Sequence, residues 1–368
     1  MKILVTGADG FIGKNLRVAL SERNEFTVLP VIRATTPAEL AQAAAGADAV
    51  IHLAGVNRPQ DVAEFATGNA DFTARLCDAL RATGRAIPVA FASSIQAERD
   101  NPYGVSKRSA EEHLAAYGAD TGAPIAVYRL ANVFGKWCRP NYNSAVATFC
   151  HNIARGLPVQ INDPNAEIRL VYVDDVVEEL LRFLAAPKHG VVHAEAGPVY
   201  TSTVGELARQ IGAFGEVRDS LLTERVGEGL VRALYATYVS YLPPEAFSYA
   251  VKKYGDERGV FVEMLKTMDS GQFSFFTAHP GITRGGHYHH TKTEKFLVIK
   301  GRARFRFRHI LTDETYVLDT SGAEPVIVET IPGWAHDITN MGDDEMVVML
   351  WANEIFDRAR PDTIASKV

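Results

Sequence analysis

The sequence predicts an α/β domain built on a doubly wound parallel sheet, followed by a smaller all-β domain. Three observations predict it. The first half of the chain alternates short β-branched runs with helical patterns. A glycine-rich turn, Gly7 to Gly13, lies between the first run and the first helix. Beyond Pro243-Pro244, aromatic and β-branched runs follow one another, broken by Gly, Pro and Asp.

Lys2 to Thr6 reads as a buried strand and Phe11 to Leu20 as the helix after it. Phe26 to Ile32, Ala49 to Leu53, Val89 to Ser93 and Ile125 to Leu130 are further strands. Helical patterns run over Pro37 to Ala45, Asp61 to Arg81 and Tyr103 to Tyr117. Ala145 to Arg155, Asp174 to Ala185 and Val204 to Ile211 are helices of a capping region, read with the first domain. The later strands are Phe273 to His279, Phe296 to Ile299, Ala303 to Ile310, Thr315 to Leu318, Val326 to Glu329 and Met346 to Trp351. A chain of 368 residues suits two domains, here 1–245 and 246–368.

Composition excludes several classes. A net charge of −6 argues against an electrostatic hold on nucleic acid or anionic lipid. No apolar run approaches the roughly 18 residues of a membrane span. Met1 to Gly7 is too short an apolar stretch for a signal peptide. Cys77, Cys138 and Cys150 are widely spaced, which speaks against a disulfide framework or a thiolate metal site. Cytosol is the expected location.

Gly7-Ala8-Asp9-Gly10-Phe11-Ile12-Gly13 has the form of a dinucleotide turn. Gly7 permits the tight bend, Gly10 lets backbone approach a pyrophosphate, and Gly13 lets helix and strand pack closely. The helix N-terminus adds free N–H groups and a positive dipole. Where NAD binders place an acidic residue after the second strand, this chain has Arg33. An arginine pairs with a 2′-phosphate, so NADPH is the expected cofactor; the alternative is a solvated surface arginine.

Tyr103-Gly104-Val105-Ser106-Lys107 puts a phenol and an ammonium one helical turn apart on one face. Reducing a ketone requires a proton at the carbonyl oxygen as hydride arrives at carbon. Tyr103 serves if Lys107 lowers its pKa, and Ser94 (or Ser93) would hydrogen-bond the carbonyl. Such a Tyr-Lys pair is common on helices. Its conjunction with the glycine turn, Ser93-Ser94 and His52-Leu53-Ala54-Gly55 is not.

With these pieces assembled, the chain before the boundary resembles the extended short-chain dehydrogenase/reductase family, which acts largely on nucleotide sugars. Arg129-Leu130-Ala131-Asn132-Val133-Phe134-Gly135 and Val171-Tyr172-Val173-Asp174-Asp175 carry the likeness further. It implies a Rossmann-type fold, cofactor contacts from Asp9, Phe11, Ile12, Leu53, Ala54 and Gly55, and Asn132 and Arg169 near sugar and diphosphate. The alternative for the last two is a structural asparagine and a surface arginine. One departure stands out. The stretch between Arg33 and Asp48 is short, so the usual third strand is read as shortened or missing and the adenine contacts are unassigned.

The second domain carries Gly281-x5-His287-Tyr288-His289-x4-Glu294-x6-Gly301 and Pro332-Gly333-Trp334-Ala335-His336-x3-Asn340. In an extended segment His287 and His289 point to one side, while Glu294 and His336 come from neighbouring strands. Three imidazoles and a carboxylate suit Zn²⁺ or another divalent transition metal. His290 breaks the alternation, and His279 reads as a structural histidine. Both motifs resemble the cupin family, a jelly-roll barrel, although the second has Pro-Gly where Pro-x-Gly is usual.

Over the whole chain, a reductase joined to a cupin resembles the bifunctional capsule-sugar enzymes on the path to UDP-N-acetyl-L-fucosamine. Asn101-Pro102-Tyr103-Gly104, Phe134-Gly135-Lys136-Trp137-Cys138 and Glu294-Lys295-Phe296-Leu297-Val298 are among the local matches. That resemblance implies a UDP-linked 4-keto-6-deoxy-N-acetylhexosamine as substrate. The cupin would epimerise C3 of UDP-2-acetamido-2,6-dideoxy-β-L-arabino-4-hexulose, and NADPH reduction at C4 would give the β-L-talose product. It also implies zinc and a homodimer. The C3 base stays open between Tyr288, Lys292 and a metal-bound water. The rival reading is a 4-ketoreductase whose cupin is structural.

Overall fold

The computed structural model describes residues 1–256, 259–262, 265–267, 271–354 and 359–368. In chain order the first elements are β1 (Lys2–Thr6), α1 (Phe11–Ser21), β2 (Thr27–Val31), α2 (Pro37–Gly46) and β3 (Ala49–His52). A single turn, α3 (Ala63–Phe65), leads through a π-helical turn at Ala66–Ala70 into α4 (Asp71–Arg81). Then come β4 (Val89–Ser94), a 3₁₀ turn at Ile95–Glu98, α5 (Pro102–Thr121), β5 (Ile125–Leu130) and β6 (Asn132–Phe134). The middle of the chain holds α6 (Ala145–Ile153), β7 (Glu167–Tyr172), α7 (Val173–Ala185), β8 (Val191–Ala194), β9 (Val199–Thr203) and α8 (Val204–Ser220). After β10 (Leu222–Thr223) comes α9 (Gly229–Ser240).

The remainder is β-rich: β11 (Ser248–Ala250), β12 (Lys253–Asp256), β13 (Gly259–Val262), β14 (Lys266–Thr267), β15 (Gln272–Ala278) and β16 (Thr283–Tyr288). It continues through β17 (Glu294–Lys300), β18 (Arg302–His309), β19 (Thr315–Ser321), β20 (Val326–Glu329), β21 (Trp334–Asn340), β22 (Met346–Ala352) and β23 (Ile364–Ala365).

Six parallel strands in the order β2-β1-β3-β4-β5-β8 form the first sheet. Its two faces are read off β1 itself. Ile3 and Val5 join Leu16 and Leu20 of α1 and Val176 and Leu180 of α7 in one cluster. Leu4 points the other way, with Leu40 of α2, Leu76 and Leu80 of α4, and Leu114 and Tyr117 of α5. Alternation with period two thus feeds both layers, which is what a doubly wound sheet requires. The strand β2 is the sheet's edge, with no strand beyond it among the described residues, as the short stretch after Arg33 foretells.

Local signals set the helix ends. Thr36 and Glu39 form a capping box at α2, with Pro37 in its first turn. Asn101 caps α5 by accepting the Gly104 N–H at 2.8 Å, which fixes where Tyr103 and Lys107 begin their turn.

Two antiparallel five-stranded sheets, β11-β20-β17-β22-β15 and β19-β18-β21-β16-β23, make the β-rich part. Phe247, Phe296, Phe305, Phe307 and Trp334 are buried there and meet in edge-on and stacked pairs.

By contacts the chain divides into two compact units, Met1–Ser144 with Ile168–Ser202, and Ala145–Glu167 with Thr203–Val368. The division expected at 245/246 therefore differs from the observed one. Residues 145–167 and 203–245, read as capping the first domain, fall in the second unit. Ion pairs tie these helices to the β-rich part. Arg218 of α8 lies 2.6 Å from Glu329 of β20, and Arg232 of α9 lies 2.8 Å from Glu354. Cys77, Cys138 and Cys150 form no disulfide with one another. Among the described residues no helix is long and apolar enough to cross a membrane.

Candidate active site and metal centre

The glycine turn takes the shape its spacing implies. Gly7 has φ +65°, and a Cβ there would stand 2.8 Å from the Ala54 nitrogen. A Cβ on Gly13 would stand 2.3 Å from the Gly7 oxygen, so only glycine lets α1 come this close to the turn. Gly10 is the N-cap of α1, and the N–H groups of Phe11, Ile12 and Gly13 open its first turn without helical carbonyl partners. Asp9 is exposed and pairs with Arg17 at 2.7 Å. The Ala8 N–H donates to the Val31 carbonyl at 3.3 Å, which brings the end of β2 and exposed Arg33 beside the turn. This donor-rich cradle fits a dinucleotide phosphate.

Leu53, Ala54 and Gly55 follow β3, and a buried relay fixes them. The Thr6 hydroxyl oxygen accepts the N–H groups of Leu53 and Ala54, each at 3.1 Å, and lies 2.6 Å from His52 Nδ1. His52 Nε2 lies 2.8 Å from the Thr73 hydroxyl, which itself donates to the Asn69 carbonyl. The network therefore puts the imidazole proton on Nε2 and leaves Nδ1 to accept from Thr6. Burial pushes His52 down to about 3, so it stays neutral.

The end of β4 and the start of α5 bring the three expected catalytic residues together. The Tyr103 phenol lies beside the Ser94 side chain, whose influence opposes the rise that burial causes in its pKa. Of the two candidate serines, Ser93 is committed elsewhere. Its hydroxyl donates to buried Glu111, which is held in turn by Arg129 at 2.6 Å. Ser94 is the one that faces the phenol.

Burial raises the Tyr103 phenol above its ordinary range, and the Ser94 side chain opposes that. Lys107 is buried on the same helix, one turn along. The ammonium is engaged with the Ala92 carbonyl at 2.9 Å and lies 4.7 Å from the centre of the Phe91 ring. Burial pulls Lys107 down to about 8, against the opposing charge of Glu111.

One participant escaped the sequence reading. Asn69 exchanges hydrogen bonds with the Val56 backbone at 2.7 and 3.0 Å and donates to Ser106 at 2.9 Å. A Cβ on Gly55 would stand 3.1 Å from both Asn69 Oδ1 and Lys107 Nζ. No spacing rule marks Asn69; the π-helical turn that aims it is not a sequence signal. Asn132 and Arg169 are brought together, on parallel neighbours β6 and β7, with the Asn132 amide donating to the Arg169 carbonyl at 2.9 Å.

In the second unit the four expected metal ligands converge. One donor atom from each of His287, His289, Glu294 and His336 lies within 4.8 Å of every other. His287 and His336 face each other across the β16-β21 pair, and Glu294 opens β17. His289 Nε2 lies 3.1 Å from Glu294 Oε2, and its Nδ1 donates to the Asp362 carbonyl. His336 Nε2 is buried with no hydrogen-bond partner, 3.6 Å from Glu294 Oε2.

Burial holds His287 down to about 3 and lowers His336, so both imidazoles offer lone pairs. Burial alone would raise Glu294, but His289, His336 and Lys292 hold its carboxyl well below 4.5. Lys292 Nζ lies 3.0 Å from the other carboxylate oxygen, Oε1. An orphaned buried nitrogen amid a three-imidazole, one-carboxylate set fits a divalent transition metal. His290 stays outside the group, and its ring packs on Tyr288 with 5.6 Å between centres.

Residues 3–196 match the NAD dependent epimerase/dehydratase family, and residues 254–364 match the polysaccharide biosynthesis C-terminal domain. The chain is 59% identical to UDP-2-acetamido-2,6-beta-L-arabino-hexul-4-ose reductase of Pseudomonas aeruginosa over 368 residues, 100% of this chain and 99% of that one. Among solved structures, the capsular polysaccharide assembling protein CapF from Staphylococcus aureus is 42% identical, with TM-score 0.69 and 100% of both chains covered. UDP-glucuronic acid 4-epimerase from Bacillus cereus, in complex with NAD, shares the fold of the first part. It is 21% identical, with TM-score 0.51, over 58% of this chain and 83% of that one.

Proposed function

The chain belongs to the NAD dependent epimerase/dehydratase family, and on that premise we propose that it is a bifunctional UDP-sugar enzyme of surface-polysaccharide synthesis. The first unit reduces the C4 ketone of a UDP-2-acetamido-2,6-dideoxy-4-hexulose with NADPH, and the second epimerises its C3. The product is the corresponding β-L-talose sugar. Full-length likeness to a reductase named for such a ketose supports the substrate class.

The observation that carries the reading is the Tyr103 phenol beside the Ser94 side chain, with Lys107 one helical turn along. Because burial raises Tyr103, the phenol stays protonated at neutral pH, which is the form a proton donor needs. Ser94 orients the ketone oxygen, and Tyr103 delivers its proton there. Lys107, held under the Gly55 turn, keeps a cation beside the nicotinamide ribose. Bound NADPH supplies the hydride, and Arg33 is assigned to its 2′-phosphate.

In the second unit His287, His289, Glu294 and His336 would hold a divalent ion, with zinc the first choice. A bound ion supplies Lewis acidity to a ketone oxygen, which makes the neighbouring C–H acidic. Exposed Phe273 and Phe275 on edge strand β15 support self-association of this unit, as a homodimer.

The test is incubation with NADPH and the UDP-linked 4-ketose, following NADPH absorbance and product stereochemistry by NMR. Consumption of NADPH with inversion at C3 supports both activities. Consumption without inversion reduces the protein to a 4-ketoreductase, and no consumption removes the reading.

A further inference from the structure

We propose that Asp362, in the C-terminal tail, is a positioning residue for the metal centre. The inference rests on reading His287, His289, Glu294 and His336 as that centre.

Asp362 grips the ligand loop through both carboxylate oxygens and its backbone carbonyl. Its Oδ1 accepts the His290 N–H at 2.8 Å. Its Oδ2 accepts the N–H groups of Thr291 and Lys292, each at 2.6 Å, and the Thr291 hydroxyl at 3.0 Å. Three consecutive amides turned to one carboxylate set the path of the chain from His289 to Glu294. The backbone carbonyl of the same residue takes the Nδ1–H of His289. That bond fixes the tautomer and turns Nε2 towards Glu294. One residue therefore governs both where the loop runs and which nitrogen His289 presents.

The tail around it is tied to a ligand strand. Ile364 and Ala365 pair with Tyr288 and His287, and the Ser366 N–H donates to the Gly286 carbonyl at 2.9 Å. Arg308 holds the last residues separately, through the Lys367 carbonyl at 2.7 Å and the Ser366 hydroxyl at 3.0 Å. No sequence motif predicts this. The loop and Asp362 lie some seventy positions apart in the chain, 70 between Lys292 and Asp362.

The chemistry makes a near-isosteric test sharp. In Asp362→Asn one carboxylate oxygen becomes an NH₂ group, which faces backbone donors at either position. Asp362→Ser keeps one short acceptor. The full-length proteins are titrated with Zn²⁺ against a chromophoric chelator. Co²⁺-loaded samples are compared by visible spectroscopy, and NADPH binding and thermal unfolding report the fold.

Asp362→Asn is expected to weaken Zn²⁺ binding about 10- to 100-fold and to alter the Co²⁺ spectrum, with Asp362→Ser between it and the parent. If Asp362→Asn does not fold, Asp362→Ser carries the comparison. Zn²⁺ affinity within about twofold of the parent in a folded variant overturns the inference. So does an equal loss in Arg308→Ala, which loosens the tail and leaves every Asp362 bond in place. A parent protein that takes up no Zn²⁺ brings down the metal centre itself, a different failure.

Discussion

The Lys107 ammonium nitrogen lies 2.9 Å from the Ala92 carbonyl oxygen, buried under the turn that follows β3. Burial brings its pKa from 10.5 down to about 8. Below that pH the cation is present, and above it the charge is lost, while the Tyr103 phenol, raised by burial, keeps its proton. The kcat/KM for the ketose is therefore expected to fall on an alkaline limb near pH 8. A profile flat to about pH 10, the ordinary lysine range, contradicts a role for this charge.

Tyr103→Phe removes the proton donor and leaves the ring in place against Phe65, 5.6 Å away. The expected cost in kcat is about 10²- to 10⁴-fold. The NADPH dissociation constant, read by fluorescence quenching, is expected to stay nearly unchanged.

Arg33 is exposed just beyond β2, beside the glycine turn. Arg33→Ala is expected to raise the KM for NADPH by about 10-fold or more, the worth of a charge-assisted contact, and to spare NADH. Equal changes for the two cofactors would remove the basis for the NADPH assignment.

A buried ion pair ties the barrel to its helices. Lys295 is paired with Glu329, which also takes Arg218 at 2.6 Å, and Lys295 reaches the Tyr249 hydroxyl at 3.1 Å. Glu329→Gln leaves the Lys295 charge buried and short of its counter-ion. Stability is expected to drop by about 3–5 kcal/mol, seen as a lower denaturation midpoint. A shift within about 0.5 kcal/mol would mean the pair carries no stability.

Much of this was legible in the chain because the signals are local. The period-two run in β1, the glycine turn and the Tyr-Lys helical turn each name their structure directly. The metal ligands were legible because two short motifs carry all four. The bounds of two of their strands were not. Thr283–Tyr288 contains Gly285 and Gly286, and Trp334–Asn340 contains Asp337, so neither shows the apolar alternation of a strand. Asp61 to Arg81 reads as one helix because its pattern is nearly continuous. The π-helical turn at Ala66–Ala70 that points Asn69 at Val56 answers to tertiary contacts. The allegiance of α8 and α9 was hidden for the same reason. Arg218 and Glu329 are 111 residues apart.

The measurement closest to the central claim separates the two sites in one tube. Tyr103→Phe protein is incubated with the 4-ketose in D₂O, with and without a chelator, and C3 is followed by NMR. Two independent sites predict deuterium at C3 while reduction is lost, and no deuterium once the metal is stripped. A C3 proton that never exchanges in the metal-loaded protein would contradict a second active site.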